Sequence, residues 1–119
     1  MKNIAVITGT RADYGLLRGV CKLLEEDTQF NFILAVTGSH LSERHGNTFE
    51  EIKSDNFKNI YLVDLNIEGD SCSNINSYVA RSIEKFDKFF LDRHFDIIIV
   101  LGDRYEILGA SIAASFLNI

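Results

Sequence analysis

Two arginines stand where anion chemistry would need them, one on each of two loops that follow apolar runs. Arg11 lies in GTRADYG after the run Asn3 to Thr8, and Arg104 lies in GDRYE after the run Asp96 to Leu101. Guanidinium forks match the paired oxygens of a diphosphate, and a nearby helix N-terminus adds its own dipole. The same arginines can instead pair with Asp13 and Asp103 as ordinary surface ion pairs, and spacing alone leaves both readings open. Asp103 closes the most apolar run of the chain, so the sequence predicts a partly desolvated carboxylate at the crevice floor, set against Arg104 as acid/base work requires. A loop-orienting role is the alternative for Asp103. Glu106 reads as a structural residue that can cap the helix after it. His40 and His45 follow the second apolar run and can rim the same crevice. Five positions apart with no third ligand in view, they make a poor metal site. His94, at a helix end, reads as a capping or surface residue.

The standard phosphate loops do not fit. A Walker loop needs G-x-x-x-x-G-K-[ST], but here Gly15 is followed by Leu16. A dinucleotide fingerprint needs G-x-G-x-x-G and an acidic residue closing the second strand, where this chain has Thr37-Gly38. Neither ATP hydrolysis nor nicotinamide chemistry is supported.

The elements that must position these loops alternate. Asn3 to Thr8, Phe30 to Thr37, Ile60 to Leu65 and Asp96 to Leu101 read as strands. A helical pattern starts near Tyr14 and ends near Asp27, with Leu16, Leu17, Val20, Cys21, Leu23 and Leu24 as its apolar positions. A short helix capped by Asn47 or Thr48 follows the second strand. A long one runs through Ile75, Tyr78, Val79, Ser82, Ile83, Phe86, Phe89 and Phe90, and an Ala- and Ser-rich one spans Ile107 to Leu117. The alternation predicts an α/β fold: a parallel sheet with helices on both faces, in strand order 3-2-1-4. In that order strands one and four are neighbours at a switch point. Gly9 to Gly15 and Gly102 to Glu106 then border one crevice at the carboxyl ends of the strands.

The chain has 119 residues, enough for one domain that buries roughly 65% of its unfolded surface. A net charge of −5 argues against a protein that depends on nucleic-acid phosphates, while small anions held by placed arginines remain allowed. Cys21 and Cys72 have neither metal-ligand spacing nor a disulfide framework, and Cys21 reads as a buried free thiol. No signal peptide and no run long enough to span a bilayer is apparent, so the expected location is the cytoplasm.

Three motifs together, GTRADYG, TGSHLSERHGNT and LGDRYE, resemble the hydrolysing UDP-N-acetylglucosamine 2-epimerases, in the branch that feeds sialic and legionaminic acid synthesis. The resemblance covers essentially all of the chain. It implies a Rossmann-like domain, the N-terminal part of a two-domain GT-B-type fold with a UDP-sugar in the cleft between domains. It implies elimination of UDP to a 2-acetamidoglucal, then addition of water to give N-acetylmannosamine, with no metal or nicotinamide cofactor. By the same resemblance Arg11 and Arg104 contact the nucleotide, and Gly15, a serine in some relatives, offers a backbone contact. Asp103 takes part in acid/base catalysis, and His40 and His45 stand in a loop that reaches the cleft. Homodimers are common in that family.

Residues 1–119 are thus expected to be a partial N-terminal domain without the UDP-gripping second domain, and turnover is not expected from these residues alone, because catalysis needs the opposed cleft wall. Two alternatives accompany the epimerase reading. One is a non-catalytic nucleotide-sugar-binding or interaction module of the same ancestry; the other is a GT-B sugar transferase, against which the paired loops count. Whether the sugar nucleotide is UDP-N-acetylglucosamine or a diacetamido sugar on UDP or GDP depends on contacts outside these residues.

Overall fold

A computed structural model describes residues 1–41, 48–65 and 74–119. His45, Cys72 and the Asn47 cap therefore lie outside the described residues. Four strands, β1 (Lys2–Thr8), β2 (Phe30–Val36), β3 (Ile60–Leu62) and β4 (Ile97–Ile99), form one sheet in the order β3-β2-β1-β4, with every neighbouring pair parallel. This is the expected order, and the fold is the Rossmann-like one that the sequence predicts. Four helices connect or follow the strands: α1 (Arg11–Glu26), α2 (Thr48–Ser54), α3 (Ile75–Leu91) and α4 (Tyr105–Phe116). A 3-10 turn, Gly38–Leu41, follows β2.

Alternation along the central strand builds a core on each face. Ala5 and Ile7 of β1 point toward α3 and α4, where they join Phe86, Phe89, Phe90, Phe95, Ile107 and Ala110. Val6 points the other way, into a layer with Tyr14, Leu17, Cys21, Phe32, Leu34 and Ile52. A strand buried on both faces is apolar at consecutive positions, which is why β1 and β2 are legible as strands. Ser82 Oγ donates to the Glu106 carbonyl at 2.8 Å and fastens α3 to the first turn of α4.

Three expectations need correction. The first helix begins at Arg11, not near Tyr14, because Thr10 caps it: the Thr10 hydroxyl accepts from the Asp13 amide at 3.1 Å. Leu16, Val20 and Leu23 of that helix are exposed. Its apolar residues form two stripes, and only Tyr14, Leu17 and Cys21 are buried against the sheet. The fourth strand is shorter than Asp96 to Leu101 and is not the most buried; as the sheet's edge it leaves Ile97 45% exposed. Among the described residues no helix is long and apolar enough to cross a membrane.

Candidate functional site

In a parallel sheet every strand delivers the chain to the same edge, where the next helix begins. The loops after β1, β2 and β4 meet there around one side chain. Glu106, in the first turn of α4, is fully buried, and its Oε1 accepts from Arg104 Nε at 2.8 Å. A Cβ placed on Gly9 or on Gly38 would come within 2.8 Å of that same oxygen. Both positions must be glycine for the loops to close on the carboxylate, and Gly38 also holds a φ of +63°. Beside them Gly102, at φ +106°, faces Asp13, whose Oδ1 lies 3.1 Å from where a Cβ would stand. The predicted convergence of Gly9–Gly15 with Gly102–Glu106 is therefore met in space.

Arg104 caps α4 without a side-chain capping bond. Its Nη2 donates to the Tyr105 hydroxyl at 3.2 Å, and Nη1 has no partner among the described residues. Partial burial works against its charge, but the Glu106 bond and the neighbouring carboxylates outweigh this and raise its pKa above the ordinary arginine value. Arg11 is the first residue of α1 and largely exposed, with Nη2 2.9 Å from Glu51 Oε1. The ion-pair alternative thus holds with different partners: Glu51 and Glu106, rather than Asp13 and Asp103. The Arg11 and Ala12 amides belong to the opening turn of α1 and have no carbonyl of their own helix to bond.

Asp103 is exposed on the loop between Gly102 and Arg104, not desolvated at the crevice floor. The buried carboxylate of that loop is Glu106, three residues on, because the chain turns inward only as α4 begins. Gly15 lies one turn into α1, with nothing within 4 Å of the position a Cβ would take. Its N–H is claimed by the helix ladder, so what it offers is open space rather than an amide. It lines a cleft of about 320 Å³ with Arg11, Tyr14, Arg18, Glu51, Ser54 and Asp55.

That cleft holds a cluster that sequence reasoning missed. Asp55 accepts from the Tyr14 hydroxyl and, bidentately, from Arg18 Nε and Nη2 at 2.9 and 2.8 Å. The Arg18 bonds, with help from Tyr14, hold the Asp55 carboxyl down at about 2 against the opposing effect of burial. Burial, together with Asp55, raises the Tyr14 phenol above its usual value. No sequence signal links Asp55 to α1, since Arg18 and Asp55 are 37 positions apart.

His40 is buried at 3% exposure, with Nε2 3.0 Å from the Thr8 hydroxyl and Nδ1 3.0 Å from the Thr48 hydroxyl. Both ring nitrogens are occupied, so in this structure the imidazole braces the β2 loop against β1 and α2. Burial pushes its pKa down from 6.5 to about 4, and the Thr10 backbone, followed by the Asp13 and Glu51 charges, opposes that only in part. Between those values the unfolded chain takes up a proton that the folded chain refuses. Stability is therefore expected to fall as pH drops from 6.5 toward 4, by a total on the order of 3 kcal/mol, and this contribution levels off below that window. Denaturant midpoints measured across the window check this. A His40→Gln variant should lose that slope, and an unchanged slope would assign it to another group.

Comparison with known proteins gives these features a context. A family model described as UDP-N-acetylglucosamine 2-epimerase matches residues 22–119. Over the whole chain the sequence is 42% identical to the polysialic acid biosynthesis protein P7 of Escherichia coli, of which it covers 30%. It is 37% identical to a hydrolysing UDP-N,N'-diacetylbacillosamine 2-epimerase of Legionella pneumophila, of which it covers 32%. The crystal structure of the UDP-GlcNAc 2-epimerase from Neisseria meningitidis bound to UDP-GlcNAc superposes with a TM-score of 0.78 at 23% identity, over all of this chain and 30% of that one. The chain thus spans about a third of the length of the relatives it matches.

Proposed function

Because the chain belongs to the UDP-N-acetylglucosamine 2-epimerase family, we propose that it forms the N-terminal wall of the nucleotide-sugar cleft in a hydrolysing 2-epimerase of sialic-acid-type sugar synthesis. The reaction eliminates UDP from UDP-N-acetylglucosamine and adds water across the resulting double bond, releasing N-acetylmannosamine. A second domain beyond these residues closes the cleft. The names of the E. coli and Legionella relatives support the hydrolysing and sialic-acid parts of this reading.

The observation that carries it is the meeting of the β1, β2 and β4 loops at the carboxyl edge of the sheet, with the N-termini of α1 and α4 opening into the crevice. Helix N-termini and guanidinium groups both favour a diphosphate there. The Arg11–Glu51 pair is exposed and worth little, so exchanging Glu51 for a phosphate oxygen costs little. Arg104 keeps its Nη1 edge for the ligand while Glu106 holds it from behind. The space beside Gly15 lets the nucleotide lie along α1. Asp103, exposed at the mouth of the crevice, is the acid/base candidate.

Calorimetry with UDP on the full-length protein tests the assignment. Arg11→Ala and Arg104→Ala are each expected to weaken binding by roughly 10- to 100-fold, the range for losing hydrogen bonds to a charged group. Wild-type affinity in both variants would sink it.

A further inference from the structure

We propose that Glu106 is a positioning residue of this crevice: its buried carboxylate fixes the Arg104 guanidinium and seats the β1 and β2 loops, setting the geometry in which Arg104 meets a diphosphate. The inference rests on reading Arg104 as a diphosphate contact.

A carboxylate is a poor choice for this place on packing grounds alone. Removing a charge from water is costly, and a partner that is itself 41% exposed returns only part of that. The oxygen Oε2 is buried with no hydrogen-bond partner among the described residues, a further cost that an apolar side chain would avoid. Beyond Glu106, α4 carries no charge from Ile107 to Phe116, so this one acid stands apart from the helix it begins. What the carboxylate supplies is direction. It binds Arg104 through Nε, which fixes the plane of the guanidinium and leaves Nη1 facing away. The same oxygen is the surface on which the Gly9 and Gly38 backbones rest, so the three loops share one reference point. Glu106 is itself anchored, since its carbonyl accepts from Ser82 Oγ of α3. Movement of this side chain would therefore displace Arg104 and both glycine loops together.

The test is a double-mutant cycle on the full-length protein, read by UDP calorimetry, steady-state kinetics and thermal melting. Glu106→Gln keeps the shape and removes the charge. It is expected to weaken UDP binding about tenfold and to raise KM more than it lowers kcat, with little change in melting temperature. Glu106→Asp, which keeps the charge on a shorter arm, should recover part of the affinity. In an Arg104→Ala background Glu106→Gln should have no further effect, because the arginine through which it acts is gone. Three outcomes overturn the inference while leaving the Arg104 assignment intact. They are wild-type affinity in Glu106→Gln when Arg104→Ala binds weakly, a full additive loss in the double variant, or Gln, Asp and Ala variants that are equally impaired. Wild-type affinity in Arg104→Ala instead overturns the reading on which the inference stands.

Discussion

Asp103→Asn in the full-length protein is expected to lower kcat for N-acetylmannosamine release by about a thousandfold, the scale of losing one acid/base group, and to leave UDP affinity at its wild-type level. The asymmetry follows from position. Asp103 sits on the loop between a glycine at φ +106° and Arg104, exposed, and with no ion-pair partner among the described residues. Its neighbour Arg104 is tied down by Glu106, so the loop keeps its course when the Asp103 charge is removed. The substitution is expected to change proton transfer and little else. Exposure in the open crevice is compatible with that role, because the opposed wall and the substrate would exclude water at the moment of reaction. Retained turnover in Asp103→Asn would reduce this residue to a loop-orienting one and move the acid/base work to groups outside these residues.

Gly109→Val is expected to destabilise the chain by about 3 kcal/mol and to lower its melting temperature by roughly 10 °C. Gly109 is where α4 lies against α3, and a Cβ there would run into Oγ and Cβ of Ser82 and crowd the Ile83 amide. Ser82 is fully buried, so the helices must separate to admit even a methyl group. That separation would break the Ser82 bond to the Glu106 carbonyl and disturb the start of α4, from which Arg104 is held. The effect should therefore reach UDP binding from a residue that never touches the ligand. Gly19 is the internal control: a Cβ there meets nothing within 4 Å and valine is the better helix former, so Gly19→Val should be neutral or slightly stabilising. A loss at Gly19 as large as that at Gly109 would show that helix packing does not set the cost.

Much of the fold was legible because burial on two faces leaves a plain mark. β1 and β2 are continuous apolar runs, and the order 3-2-1-4 follows from right-handed crossovers once four strands alternate with helices. The edge of the sheet was less legible. Ile97 to Ile99 look like an interior strand by composition, but composition does not say which neighbours are present. In α1 the pattern Leu16, Leu17, Val20, Cys21, Leu23, Leu24 contains two overlapping stripes, and only tertiary contact selects the one through Tyr14, Leu17 and Cys21. In the candidate site, the convergence of the two arginine loops was legible from the switch-point topology. The arginines' partners, Glu51 and Glu106, were not: Glu51 lies far from Arg11 in sequence, and Glu106, close to Arg104, reads from sequence as a helix cap. Glu106 had a usable signal: a lone acid opening an otherwise uncharged helix, with glycines ending the first and second strands. Asp55 had none, since its bonds to Tyr14 and Arg18 depend on how α2 is laid over α1.

Hydrolytic 2-epimerisation at this crevice can be followed by reaction of the full-length protein with UDP-N-acetylglucosamine in deuterated water. Elimination followed by hydration takes the hydrogen added at C2 from solvent and the new C1 hydroxyl from water. The expected products are therefore UDP and free N-acetylmannosamine in equal amounts, the sugar carrying one deuterium at C2. UDP-N-acetylmannosamine still joined to its nucleotide, N-acetylmannosamine without deuterium at C2, or no turnover of this donor would contradict the account.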